Sequence, residues 1–245
     1  MSDRDGPRLG IIGGSGFLDG LDPDGLGVDV EARDVEGVRL HVSGRFVFLQ
    51  RHGEGVPHLP HDVPHHTHIR LLKEMGVREV VGLTSTGSLR AEIVPGTLVI
   101  PDDYLSRHPP PSFEDGTHII PVLDPSLQDF LAGVVRDAFR NLSSSPAPPI
   151  HRGGVYAETR GPRFETRAEV RSLARDAHIV GMTAASEATL AQEAGLRYAI
   201  LSIVDNWAHG IGPLTLEDFQ ERKRENRTVA AAVLLQVIRA RQGGS

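Results

Sequence analysis

Several polar runs in this chain each follow directly on an apolar run, and their residue types suit an anion held beside a flat ring. Arg51-His52-Gly53 closes the run RFVFLQ, where an arginine can clamp an oxyanion with bidentate geometry and a histidine can add a hydrogen bond. Gly13-Gly14-Ser15-Gly16-Phe17 follows RLGII; its glycines let backbone N–H groups approach an anion, and Ser15 adds a hydroxyl donor. Thr84-Ser85-Thr86-Gly87-Ser88 ends a third apolar run. Three such termini make a convergent anion site a better reading than chance placement. Thr183 and Ser186 lie between a short apolar strand, 178–182, and a helix over 184–194, and Asn206 terminates YAILSIVD. Phe164 beside Glu165, after a Gly-Pro turn, suits a flat heterocycle: the ring stacks and the acid accepts an N–H. Glu165 reads equally well as a carboxylate placed at a helix N-terminus.

Other chemistries fit less well. A dinucleotide fingerprint needs G-x-G-x-x-G opening a long helix, whereas DGLDPDGLG follows the first glycines here. His58, His61, His65, His66 and His68 crowd one proline-rich segment, yet His65 and His68 have no carboxylate at ligand spacing, so no metal is expected. The chain has no cysteine, which removes thiolate and disulfide chemistry and fits a reducing compartment.

The elements that must position these groups alternate. Apolar strands precede RHG, TSTGS and the Asp205-Asn206-Trp207 terminus. Hairpin-rich strands fill 27–50, helices are expected over 66–75, 125–140 and 216–240, and PGTLVIPDDYL is a strand broken by proline. The last helix reads as a packing helix that closes the sheet. RHPPPSFEDGTH reads as a flap or subunit contact, and residues 143–149 as a link between elements rather than domains. Polar groups at the carboxyl ends of such strands mark the ligand edge of an α/β sheet.

At 245 residues the chain suits a single α/β domain, 1–245, with a sizeable core. A net charge of −6 gives no sign of a nucleic-acid surface. The basic residues are almost all arginine, Lys73 and Lys223 being the two lysines, so the arginine preference is general and not itself a sign of anion binding. The start lacks a signal-peptide core, and no apolar run reaches membrane-spanning length; a cytoplasmic enzyme without membrane contact is the expectation.

Taken together, GIIGGSGF (10–17), RHG (51–53), LTSTGSLR (83–90), GPRFETRAE (161–169), VGMT with Glu187 (180–187) and EAGLRYAILSIVDNWA (193–208) resemble the trimeric nucleoside phosphorylases, the purine and methylthioadenosine or methylthioinosine enzymes. The resemblance implies a single α/β domain around a mixed, partly barrel-like sheet flanked by helices, assembled as a homotrimer with active sites near subunit interfaces. It implies cleavage of an N-glycosidic bond by inorganic phosphate, giving free base and pentose 1-phosphate, with no metal or organic cofactor. Phosphate would be held by Ser15, Arg51, His52, Ser85 and Thr183. Met182 would lie on the ribose, Phe164 on the base, and Asn206 at the purine N7. Asn206, Glu165 and His52 would carry the chemistry.

Glu165 stands where 6-oxopurine members carry a glutamate, and Asn206 and Ala208 replace two aspartates of adenine-specific members; all three point away from adenine. Leu214 and Leu216 would make the 5′ pocket apolar, favouring a 5′-deoxy or methylthio group over a hydroxyl that would lose its partner on burial. His118 falls one residue from the histidine that a neighbouring subunit contributes there, and Pro64-His65 replaces an Asn-Tyr pair. Methylthioadenosine and a 5′-modified pyrimidine stay open as substrates. A nucleoside-binding regulatory protein is the rival of another class, separated by ligand binding without base release. A hydrolase would release base equally well without phosphate.

Overall fold

In the computed structural model the described residues are 8–14, 30–54, 57–108, 111–113, 118–140 and 147–242. Ser15, part of the proline-rich 107–118 segment and part of the 143–149 link lie outside them.

Strand β5 (Val77–Ser88) is the hub of the sheet. Along one edge its first part pairs in parallel with β1 (Arg8–Gly13), ending with Gly13 opposite Leu83. Along the other edge it pairs throughout with β11 (Arg197–Trp207). The last residues of β5, Gly87 and Ser88, pair instead with the antiparallel β10 (Ile179–Gly181). One edge of β5 therefore changes partner between Leu83 and Gly87. Thr84, Ser85 and Thr86 lie in that break, where a mixed sheet opens a crevice.

From β1 the sheet continues outward through β4 (Phe46–Gln50), β3 (Val38–Val42) and β2 (Glu31–Val35). In the other direction β11 pairs with β6 (Leu98–Ile100), which passes Pro101 into β7 (Asp103–Ser106). Alongside run β8 (Ile150–Arg152), parallel to β6, and β9 (Val155–Glu158), parallel to β7. Because β9 pairs with β10, and β10 with β5, this half of the sheet returns on itself. The mixed, partly barrel-like sheet that the resemblance implied is the one observed. PGTLVIPDDYL is indeed two strands, since proline cannot donate to a ladder.

Period-two alternation decides which side each residue serves. In β11, Ala199, Leu201 and Ile203 face one core with β1 residues Leu9 and Ile11, while Tyr198, Ile200 and Val204 face the other. The first core is covered by α2 (Pro125–Phe139) and α5 (Leu216–Gln242), the second by α1 (His65–Glu74) and α4 (Ala184–Glu193). Each fully buried aliphatic side chain contributes about 1.5–3 kcal/mol, so the two faces anchor the strand ends firmly. Helix α2 starts where Asp124 accepts from the Leu127 N–H at 2.9 Å. Helix α3 (Arg167–Leu173) starts with a capping box between Thr166 and Glu169 and covers a third, smaller core with Val180 and Ala208. That box settles one open point: Glu169, not Glu165, serves the helix terminus.

Candidate active site

A cavity of about 300 Å³ opens at the break beside β5. Arg51 and His52, just after β4, form one wall with Gly14, and Thr84, Ser85 and Thr86 form the floor. Met182 and Thr183, between β10 and α4, approach from the opposite side. Phe164 and Glu165 precede α3, Asn206 lies at the end of β11 and Ala208 just beyond it. Leu214 closes the far side with Phe219 of α5. Segments far apart in sequence thus converge as the motif pattern predicts.

Two expected lining residues are elsewhere. Leu216 is 68% exposed at the first residue of α5 and borders a separate shallow hollow beside Phe164; it shares a helix face with Phe219 and Lys223 but lies nearly a turn before Phe219, past the end of the cavity. His118 is exposed and does not line its own chain's cavity. Ser186, read as part of the rim, instead gives its hydroxyl proton to buried Glu158.

Arg51 is 1% exposed, and its use differs from the open anion clamp suggested by sequence. Its Nε and Nη2 both donate to the Glu187 carboxylate, the latter at 2.9 Å, and Nη1 donates to the Leu83 carbonyl at 2.9 Å. The physical reason is desolvation: a guanidinium this deep needs a matched carboxylate. Burial opposes both charges, but their mutual attraction outweighs it, leaving Arg51 raised and Glu187 lowered. Tyr198 donates its hydroxyl to Glu187 at 2.6 Å. Gly14 allows this packing, since a Cβ there would meet Arg51 Nη1 at 2.3 Å. The pair was legible only faintly, as one acid among the small residues of AASEATLA.

His52 places its Nδ1 2.9 Å from the His58 carbonyl; a carbonyl only accepts, so Nδ1 carries the proton and Nε2 keeps its lone pair. Burial, then the Arg51 charge, lowers its pKa and holds the ring neutral near pH 7. Thr183 makes no side-chain capping bond with α4, which leaves its hydroxyl available. The next N–H groups of that helix terminus are already taken: Ala185 and Ser186 donate to Glu158 at 2.7 and 3.0 Å. Ser85 donates to Asp205, whose other oxygen accepts from Asn226 at 2.7 Å. Burial raises the Asp205 pKa, against those two hydrogen bonds and the nearby Lys223 charge.

At the ring end, the Asn206 amide donates Nδ2–H to the Trp207 carbonyl at 2.7 Å, which turns Oδ1 out as the free acceptor. A register shift between Val204 and Asn206 aims this side chain. Glu165 is 7% exposed and accepts from the Thr159 hydroxyl at 2.6 Å. Phe164 packs edge-on against Phe219 with ring centres 5.2 Å apart. Gly161 (φ +61°) lets the turn pass Met182, whose sulfur would sit 2.4 Å from any Cβ there. His58, His209, Phe219 and Lys223 also line the cavity and were not singled out as site residues from sequence. Phe219 and Lys223 escaped because α5 reads as a packing helix, which its later turns are.

Among the described residues no group of three or more His, Asp or Glu side chains is arranged to hold a metal ion, and no helix is long and apolar enough to cross a membrane.

The chain is 34% identical to a probable 6-oxopurine nucleoside phosphorylase of Archaeoglobus fulgidus, over 94% of this chain and 96% of that protein. It is 33% identical to a probable S-methyl-5′-thioinosine phosphorylase of Methanothermobacter thermautotrophicus, over 94% and 83% respectively. Methylthioadenosine phosphorylase from Schistosoma mansoni, solved with tubercidin, superposes with a TM-score of 0.75 at 26% identity, covering 98% of this chain and 93% of that one. The family model described as the phosphorylase superfamily matches residues 8–239. With the sheet, the crevice and the converging strand ends in agreement with that match, this chain belongs to the phosphorylase superfamily.

Proposed function

We propose that this cavity cleaves the N-glycosidic bond of a 6-oxopurine nucleoside with inorganic phosphate, releasing the base and pentose 1-phosphate. The observation that carries the choice of base is the Asn206 amide, whose Nδ2 donates to the Trp207 carbonyl and leaves Oδ1 to accept. A 6-oxopurine leaving as its anion takes a proton at N7, and Oδ1 can accept that N–H. Glu165 can accept N1–H. Ala208, 3% exposed, offers no acceptor for a 6-amino group. The relatives' names span both 6-oxopurine and methylthioadenosine substrates, so the choice between them rests on these three side chains.

No protein nucleophile is required. Phosphate attacks the anomeric carbon as the glycosidic bond breaks; the electron pair of that bond leaves with the base, and the sugar passes through an oxocarbenium-like state. Neutral His52 can accept the remaining P–OH hydrogen through Nε2, and the Thr183 hydroxyl can donate to a phosphate oxygen. Phosphate is the co-substrate, and the scheme uses neither metal nor organic cofactor. Phe164 and Phe219 form an apolar wall for the ring, and Leu214 supports a 5′-deoxy or methylthio substituent.

The test is base release from inosine, guanosine, methylthioinosine, methylthioadenosine, adenosine and uridine, each with and without phosphate. Phosphate-dependent release led by a 6-oxopurine nucleoside is expected. Release that ignores phosphate, or that prefers adenine or uracil, overturns the reading. We further read the chain as a homotrimer with its cavity near an interface. Ile120, 89% exposed beside His118, and Val122, 56% exposed, support an apolar contact there. Sedimentation equilibrium at a monomer mass would remove that part.

A further inference from the structure

The scheme above puts a phosphate dianion into a cavity whose buried cation is already matched. Arg51 and Glu187 close on each other, and Arg51 Nη1 is held by the Leu83 carbonyl. His52 is kept neutral by burial and by Arg51, and His209 accepts from the Arg167 guanidinium through Nε2 at 3.2 Å. Ser85 spends its proton on Asp205, so toward an anion it shows lone pairs with a carboxylate behind them. These groups orient an anion better than they attract one.

The other lysine or arginine lining the cavity, among the described residues, is Lys223. Beyond the described side chains the sequence holds two further arginines, Arg4 and Arg8. Lys223 is half-buried and, among the described residues, has no carboxylate within the 4.0 Å of an ion pair. Its place on α5 is fixed from both sides. One turn earlier Phe219 packs on Phe164; three residues later Asn226 binds Asp205 Oδ1 at 2.7 Å and the Val204 carbonyl at 3.3 Å. Those contacts turn the same face of α5 toward the cavity. Asp205 is near enough to feel the Lys223 charge, yet its oxygens already hold Ser85 and Asn226; a lysine kept there without a contact ion pair has a reason if an anion arrives with the substrates.

We propose that Lys223 is an anion-binding residue of this cavity, taking a negatively charged oxygen group brought by a reactant. Two reactants could bring it: the attacking phosphate, or a nucleoside whose sugar carries an acidic 5′ substituent. The proposal rests on the phosphorolytic reading above and names the residue that supplies the charge that reading requires.

The experiment compares wild type with Lys223→Met, which keeps the length and apolar stem of the side chain, and Lys223→Arg, which keeps the charge. Wild-type phosphorolysis of inosine is measured first, because its absence refutes the proposed function rather than the role of Lys223. In the first arm phosphate is titrated at saturating inosine. In the second, inosine 5′-carboxylate is compared with 5′-deoxyinosine at saturating phosphate. Loss of one charge-assisted contact should raise the relevant KM about tenfold or more in Lys223→Met, with Lys223→Arg near wild type. A rise for phosphate assigns Lys223 to the attacking anion; a rise confined to the 5′-carboxylate assigns it to the nucleoside. Thermal shifts with phosphate alone and with inosine 5′-carboxylate alone give a second readout that needs no turnover. Equal KM values and equal thermal shifts in wild type and Lys223→Met would overturn the proposal.

Discussion

Asn206→Ala is the sharpest test of how the base is activated. The residue is 7% exposed, and its amide is immobilised by the 2.7 Å bond from Nδ2 to the Trp207 carbonyl, so Oδ1 is aimed before substrate arrives. A preorganised polar group directed at developing charge is worth about 3–4 kcal/mol in comparable sites, a loss of roughly a hundredfold to a thousandfold in turnover. The structural cost should be small by comparison. Truncation frees one carbonyl on a cavity wall that water can reach, costing about 1 kcal/mol. The assay is kcat for inosine at saturating phosphate, with urea unfolding as a control for the fold. Glu165→Gln should lose about 1.5–3 kcal/mol in kcat/KM, the range for a charged hydrogen bond. Both groups grip one ring, so the double variant should fall short of the sum of the singles. A kcat for Asn206→Ala within about threefold of wild type, in a folded protein, would refute a role at N7.

Glu187→Gln leaves the Arg51 charge buried without its counter-ion and should lower unfolding stability by about 3–5 kcal/mol; a loss under about 1 kcal/mol by urea titration would show the pair is not essential to the fold. His68, 1% exposed, has its pKa lowered by burial from 6.5 to about 4. As pH falls the unfolded chain therefore takes up a proton first: stability is full above about 6.5, and about 2 kcal/mol is lost by pH 5. His68→Leu should flatten that part of the urea-midpoint profile against pH. Ala208→Asp places an acceptor near a 6-amino group and should shift the inosine-to-adenosine ratio of kcat/KM about tenfold or more toward adenosine. An unchanged ratio would remove Ala208 from base selection.

Much of the site was legible because strand ends announce themselves: an apolar run breaks into hydroxyls, glycine or a charged pair, and in an α/β sheet those breaks fall on one edge. RHG, TSTGS, Phe164-Glu165 and Asp205-Asn206 are all short-range patterns, and all of them reach one cavity. The alternative for Glu165 could not be resolved that way, since its neighbour Glu169 had first to be seen in the capping box. Leu216 went wrong for a different reason: it shares the face of Phe219 and Lys223, but it is the first residue of α5, and how far along the helix the cavity ends is not written in the periodicity.

By itself the chain order of apolar and polar runs pointed to an α/β domain, to the sheet edge that carries chemistry and to an anion held beside a flat ring, while the barrel-like sheet and the nucleoside came from the family resemblance. The former depend on local periodicity and on residue chemistry. Only the tertiary structure decided that Arg51 is spent on Glu187, that Ser85 is spent on Asp205, and that Lys223 comes to the cavity from the last helix. Partners more than a hundred residues apart leave no periodic trace in sequence. Whether a charged group is free or matched is settled only when burial forces it to find a counter-charge.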